Sequence, residues 1–361
     1  MSSKALAKRI RVLVVDDSAL MRKYLKRILE EDPGIEVIDA ARDGEEAVEK
    51  NLSLKPDVIT LDLNMPKMDG LTALQYIMHT SPCPVVVVSS LTQRGALATF
   101  EAFELGAVDC VAKPEGTVSL NLERVGEEIR MKVRAAARAR VASAKRKVSR
   151  QPEGKVNPPS RPAAYERGGK IVVIGVSTGG PKALEHVLPE LPGDLPAPVV
   201  VVQHMPEGFT RCFAERLDGI CALKVREAED GMPLENGAVA VARGGWHLKF
   251  GRPAVGKGLI VKLSREPSGA LYIPSVSVTL QSLRQHVRDE EIIGVMLTGM
   301  GDDGVAEMVE VRRGGGHTIA ESEETAVVWG MPGELWRRGG AEVLAPVHDI
   351  GKLITRAVKG R

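Results

Sequence analysis

A serine that ends an apolar run and is followed by glycines is the first place to look for chemistry in this chain. Residues 170–176, KIVVIGV, lead into Ser177, Thr178, Gly179 and Gly180. Pro181 then fits the first turn of a helix, where its missing N–H is no loss. The stretch GVSTGG admits three uses: a sharp turn and nothing more, a cradle for phosphate, or a mount for a nucleophile. A dinucleotide-binding turn would read G-x-G-x-x-G and a Walker loop would end in Gly-Lys-Ser/Thr; neither pattern is met. Residues 175–179 do fit G-x-S-x-G, which is too short to decide the matter. Two distant runs bear on it. PVVVVQ, 198–203, ends at His204, and EIIGVMLTG, 291–299, ends in the turn MGDDG, 300–304. A serine hydroxyl is a poor nucleophile until an imidazole takes its proton. The imidazole in turn needs a carboxylate to fix its tautomer and stabilise the imidazolium. Three parallel strands would bring all three groups to one sheet edge.

A second set of polar residues ends apolar runs in the N-terminal half. Asp16 and Asp17 follow RVLVV (11–15), Asp62 ends DVITLD (57–62), Ser89 lies in PVVVVSS (84–90) and Lys113 in CVAKP (110–114). Three carboxylates brought together repel unless a cation neutralises them, and an all-oxygen ligand set favours Mg²⁺. A lysine and a hydroxyl at the same rim suit a phosphoryl group carried on one of the carboxylates. Acidic strand ends that only cap helices would explain Asp17 or Asp62 singly, but not the whole set.

Both sets depend on strands that alternate with helical stretches. The N-terminal half adds EVIDAA (36–41) to the runs above, and a helical period, Leu20, Met21, Tyr24, Leu25, Ile28 and Leu29, stops at Pro33-Gly34. Such alternation predicts α/β architecture with doubly wound parallel sheets, whose ligands sit at the carboxyl ends of the strands. At 361 residues the chain has room for two domains. Between them, residues 131–150 hold eight Lys or Arg and no acid, leaving 41 basic against 47 acidic residues elsewhere. Helix-forming residues continue through 123–147, and from about 148 to 168 Pro and Gly without apolar period predict a flexible linker. The expected division is a first domain over 8–130, a flexible basic linker over 131–168 and a second domain over 169–361. No aromatic or amphipathic feature accompanies the basic run, and aromatics are only 3% of the chain, so neither nucleic-acid binding nor membrane insertion is expected. The N-terminus lacks the apolar segment and cleavage site of a signal peptide. Four cysteines without CxxC spacing fit a reducing cytoplasm and no structural zinc.

The motifs also carry resemblances. VLVVDDS, DVITLDLNMPKMDG, VVVVSS and VAKP resemble the receiver domain of bacterial response regulators, with its flavodoxin-like fold. The resemblance implies that Asp62 accepts a phosphoryl group from a histidine kinase, and that Asp16 and Asp17 hold Mg²⁺ with it. It also implies that Lys113 pairs with phosphoryl oxygens, that Ser89 is the switch hydroxyl, and that Lys113-Pro114 is a peptide bond often cis. GVSTGGP, VVQHMP, LTGMGDDG and VVWGMP resemble the Rossmann-like catalytic domain of the chemotaxis protein-glutamate methylesterases, the CheB family. That resemblance implies Ser177 as nucleophile, His204 as base and Asp303, rather than Asp302, as orienting acid. Thr178 and the Met300 N–H are candidates around the oxyanion. The implied reaction is phosphorylation-activated hydrolysis of glutamate methyl esters on chemoreceptors, with deamidation of glutamines in many members, and no cofactor in the esterase domain. One departure stands out: the family commonly has Asp in a P-S-x-D-x-L stretch, and PSVSVTL (274–280) has Ser277 there. The alternative is a regulator without enzymatic activity whose second half binds a partner. A DNA-binding regulator is excluded, since the second half has no helix-turn-helix pattern.

Overall fold

The computed structural model describes residues 8–90, 92–113, 121–139, 165–166 and 168–360, and these fall into two compact units, Met1–Ser149 and Arg150–Arg361. In the first, strands β1 (Ile10–Val15), β2 (Ile35–Ala41), β3 (Val58–Leu61), β4 (Val85–Ser89) and β5 (Asp109–Ala112) form a parallel sheet in the order β2-β1-β3-β4-β5. Val12–Val15 of β1 and the apolar residues of β3 and β4 are buried on both faces, as a sheet covered by helices on both sides demands, while the edge strand β2 alternates buried and exposed residues. The helices are α1 (Ala19–Glu30), α2 (Gly44–Leu54), α3 (Gly70–Thr80), α4 (Gln93–Leu105) and α5 (Asn121–Ala136). Ser18, Asp43, Asp69 and Thr92 cap the first four, each side chain accepting a first-turn N–H.

Helix α5 runs through Met131–Ala136, so the described start of the segment expected as linker is helix. Val133, Ala135 and Ala136 are buried there, Lys132 pairs with Asp109 and Glu128, and Arg134 pairs with Asp32. These cations are spent on the unit's own acids rather than offered to a partner. Residues 140–164 and Pro114, on which the rest of the linker and the Lys113-Pro114 bond fall, lie outside the described residues.

The second unit contains β6 (Ile171–Val176), α6 (Gly180–Val187), β7 (Val199–Gln203), α7 (Phe209–Asp218), β8 (Lys224–Glu227) and β9 (Ala238–Val241). An antiparallel ribbon, β10 (His247–Gly251) and β11 (Ile260–Ser264), follows, then α8 (Val276–Leu283), β12 (Ile292–Met296) and α9 (Val305–Arg313). The chain closes with β13 (His317–Glu321), α10 (Met331–Arg337), β14 (Val343–Ala345) and α11 (Val347–Val358). The main sheet is parallel, in the order β14-β13-β12-β6-β7-β9-β8. Met296, Gly175 and Val202 lie level across β12, β6 and β7, so three neighbouring strands end together. The chain leaves β6 toward β7 and later returns to its other side with β12, which opens a crevice at the carboxyl end of β6. Tyr165 belongs to this unit: it is buried, its N–H donates to Leu234 O (2.9 Å), and its hydroxyl donates to Glu291 (3.1 Å). The second domain therefore includes residues before the expected start at 169.

Candidate active site

Ser177 sits at the end of β6 on a turn that admits no extra atom. Gly179 adopts φ 79°, and a Cβ there would lie 2.6 Å from Val327 Cβ; a Cβ on Gly180 would overlap Gln203 Oε1. Gln203, the last residue of β7, donates its amide to Ser177 O (3.0 Å) and His204 O (3.2 Å), clamping two strand ends. The Ser177 N–H donates to Thr298 O (3.0 Å) and the His204 N–H to Val176 O (3.1 Å), so the ladder continues past the formal strand ends. Ser177, Thr178 and His204 are all buried.

His204 Nε2 lies 2.8 Å from Asp303 Oδ2. Asp303 also accepts from the N–H of Val276 (2.6 Å), the N–H of Ser277 (3.1 Å) and the hydroxyl of Ser275 (2.7 Å). It thus occupies the N-terminus of α8, where free N–H groups and the helix dipole favour an anion. Burial pushes the Asp303 carboxyl up, but His204, Ser275 and the Val276 N–H outweigh it and bring it down to about 2. The adjacent Asp302 is a different kind of residue: its side chain is 60% exposed against 8% for Asp303, and it pairs with Arg338 (2.8 Å).

The ring of Tyr272 stacks on that of His204, with centroids 4.0 Å apart and planes 6° from parallel. The imidazole is held by a carboxylate at one edge and an aromatic face above. Its other nitrogen, Nδ1, is buried and has no hydrogen-bond partner among the described residues. With Nε2–H given to Asp303, Nδ1 is left as the proton acceptor, the tautomer following from the hydrogen bond. Ser177 Oγ and His204 are not hydrogen-bonded to each other, as is common where such bonds tighten only around substrate. A Cβ on Gly299 would come 2.7 Å from Ser177 Cβ, which brings the backbone just before Met300 against the serine. Thr178 contributes its carbonyl to Thr298 Oγ1 (2.9 Å). Ser277 accepts from the Gly304 N–H (2.8 Å) and donates to Glu307 (2.7 Å), so its hydroxyl ties α8 to α9. Sequence reasoning missed Tyr272 and Ser275. Only Ser275 left a signal, as a serine ahead of an apolar helical run.

In the first unit, Asp16 and Asp62 are buried, Asp17 is exposed, and one oxygen from each falls within 4.8 Å of the others. Lys113 Nζ lies 2.7 Å from Asp62 and 2.9 Å from Asp16. Burial pushes the Asp62 carboxyl up, and Lys113 opposes it. Burial would lower Lys113, but its bonds to Asp16 and Asp62 prevail and its pKa is raised. Ser89 is buried, with its hydroxyl on Gly95 O (3.3 Å).

The sequence profile of the CheB methylesterase family matches residues 172–354, just over half of the chain. This chain belongs to that family. The profile of the response regulator receiver domain matches residues 12–123. A protein-glutamate methylesterase/protein-glutamine glutaminase of Caldanaerobacter subterraneus is 55% identical over 97% of both chains. A second such protein, from Carboxydothermus hydrogenoformans, is 55% identical over 97% of this chain and 99% of its own. The crystal structure of the Thermotoga maritima CheB methylesterase catalytic domain is matched over 54% of this chain and all of its own, with 41% identity and a TM-score of 0.50. Two α/β domains of this family's architecture, receiver and catalytic, therefore make up the chain.

Proposed function

We propose that this family member hydrolyses glutamate methyl esters on chemoreceptors, and deamidates receptor glutamines, under control of receiver phosphorylation. The observation that carries the reading is the His204–Asp303 pair at 2.8 Å, with His204 Nδ1 buried and unpartnered at the strand end beside Ser177. In the proposed reaction Ser177 Oγ attacks the γ-carbonyl carbon as its proton passes to His204 Nδ1. Asp303 stays ionised throughout and stabilises the imidazolium. Negative charge builds on the former carbonyl oxygen, to which the Met300 N–H, with Thr178 alongside, is the candidate donor. Collapse expels methanol, or ammonia from a glutamine, carrying the proton back from His204. Water then attacks the acyl-enzyme by the same base and leaves glutamate.

In the receiver, Asp62 is the proposed phosphoryl acceptor and a histidine kinase the donor. The all-oxygen set of Asp16, Asp17 and Asp62 fits Mg²⁺, which when bound offsets charge on a transferring phosphoryl group. Lys113, already between Asp16 and Asp62, is placed to pair with the phosphoryl oxygens, and Ser89 can turn from Gly95 O as the switch hydroxyl. None of the described helices is long and apolar enough to cross a membrane. The phosphodonor and four free cysteines support action in the cytoplasm.

Ser177→Ala and His204→Ala should each lower methanol release from methyl-esterified receptor by roughly three orders of magnitude or more, and the double variant should be no slower than either. The absence of a Ser177–His204 hydrogen bond favours, as second reading, a regulator that only binds its partner. Wild-type turnover by Ser177→Ala would establish that the serine is not the nucleophile.

A further inference from the structure

Glu321, the last residue of β13, is a buried acid with no role in the steps above. One carboxylate oxygen accepts the Thr298 N–H (2.8 Å), the other the Thr325 hydroxyl (2.9 Å); both partners are neutral. Burial pushes the carboxyl up to about 7, against those two hydrogen bonds. An acid so costly to bury without a counter-charge needs a reason.

Thr298 supplies one. Its carbonyl takes the Ser177 N–H (3.0 Å), its hydroxyl donates to Thr178 O (2.9 Å) and accepts the Val328 N–H (2.9 Å), and it is fully buried. The next residue, Gly299, donates to Val328 O (3.0 Å) and accepts the Met331 N–H (2.7 Å), immediately before Met300. The Trp329 indole donates to Glu321 O (2.9 Å), and Thr325 in turn accepts the Val347 N–H (2.9 Å). Glu321 thus grips Thr298, which bonds to both Ser177 and Thr178 in the turn, and through its other contacts the loop 325–331. With one oxygen on each threonine, the carboxyl is fixed at both ends and so makes a stiffer anchor than a single contact would.

We propose that Glu321, acting through Thr298, is a positioning residue that fixes the turn presenting the Ser177 hydroxyl and the Met300 N–H. This rests on Ser177 being the nucleophile. The test compares full-length wild type, Glu321→Leu, Glu321→Gln and Ser177→Ala for kcat and KM on methyl-esterified receptor, each normalised to folded protein by near-UV circular dichroism. Loss of a few tenths of an ångström of alignment should cost Glu321→Leu on the order of tenfold to a hundredfold in kcat, with KM little changed. Glu321→Gln, which can accept from Thr298 and donate to Thr325, should recover to within about fivefold of wild type. A Leu variant with wild-type kcat, or with its loss confined to KM, overturns the proposal while an inactive Ser177→Ala leaves the nucleophile assignment standing. Activity in Ser177→Ala overturns both. Should the Leu variant fail to fold, Thr325→Val, which removes the hydroxyl that holds the other oxygen of Glu321, carries the test: unchanged kcat there overturns the proposal.

Discussion

Two neighbouring aspartates, Asp302 and Asp303, differ in every respect that matters for charge. Asp303 is held at about 2 by His204 and the start of α8, so its native pKa lies below the unfolded value near 3.8. That depression contributes stability above pH 4, which is lost as pH falls from about 4 through 2. Asp303→Asn should keep the cleft but favour the wrong imidazole tautomer, lowering kcat by about 10³–10⁴, whereas Asp302→Asn removes only an exposed ion pair worth at most about 1 kcal/mol and should leave kcat within twofold. Steady-state kinetics on the two variants separates them. Glu321 shows the opposite linkage. Its native pKa of about 7 lies above the ordinary 4.5, so the folded state resists ionisation that the unfolded chain accepts. Stability is therefore lost as pH rises from about 4.5 to 7, on the order of 3 kcal/mol in all, and does not fall further beyond. Glu321→Gln should abolish that slope: urea midpoints of variant and wild type should draw apart, in the variant's favour, between pH 5 and pH 8.

At the scale of elements, the site is three strand ends and one helix start. The strand ends were legible because polar residues closing apolar runs have one place to go in a parallel sheet, its carboxyl edge. Ser177, His204 and the aspartate pair could be read that way, as could Asp16, Asp62 and Lys113. The helix start was not, because Asp303 reaches α8 across 26 to 28 residues and no local pattern encodes a carboxylate meeting a distant N-terminus. Tyr272 was hidden for the same reason: a stacking partner supplied by a loop has no periodicity. The strands β8 and β13 escaped because polar residues interrupt KVRE and HTIAE, and β9 and β14 because AVAV and VLA are too brief to show a period. The turn itself makes a sharper prediction. Gly180→Ala would drive a methyl into the Gln203 amide that holds Ser177 O and His204 O. We expect a stability loss of about 1–3 kcal/mol in denaturant melts and a fall in kcat larger than the remaining folded fraction explains.

At the scale of the whole molecule, each unit has its own sheet and its own core, and the residues described at each site come from a single unit. Control must then pass between folded bodies. If Asp62 is the phosphoryl acceptor, as proposed, about two negative charges are added there, beside a lysine that already bridges two acids. We expect a fragment of residues 165–361, which keeps Tyr165 in the core it completes, to hydrolyse receptor esters faster than the unphosphorylated full chain. Acetyl phosphate with Mg²⁺ should raise the full chain toward the fragment's rate, and Asp62→Asn should block that response. A fragment no faster than the intact protein would show that the receiver assists the active site instead of restraining it. Rates of methanol release for the three proteins, with and without acetyl phosphate, decide between the two.

The hydroxyl of Ser277 bridges Gly304 and Glu307, so one uncharged side chain joins the starts of two helices. An aspartate at 277 would set its charge against Glu307, so that exchange is not neutral on its own; the order of changes that avoids the clash alters 307 first. Glu307→Gln should make Ser277→Asp harmless, and the same Ser277→Asp made alone should lower the thermal midpoint.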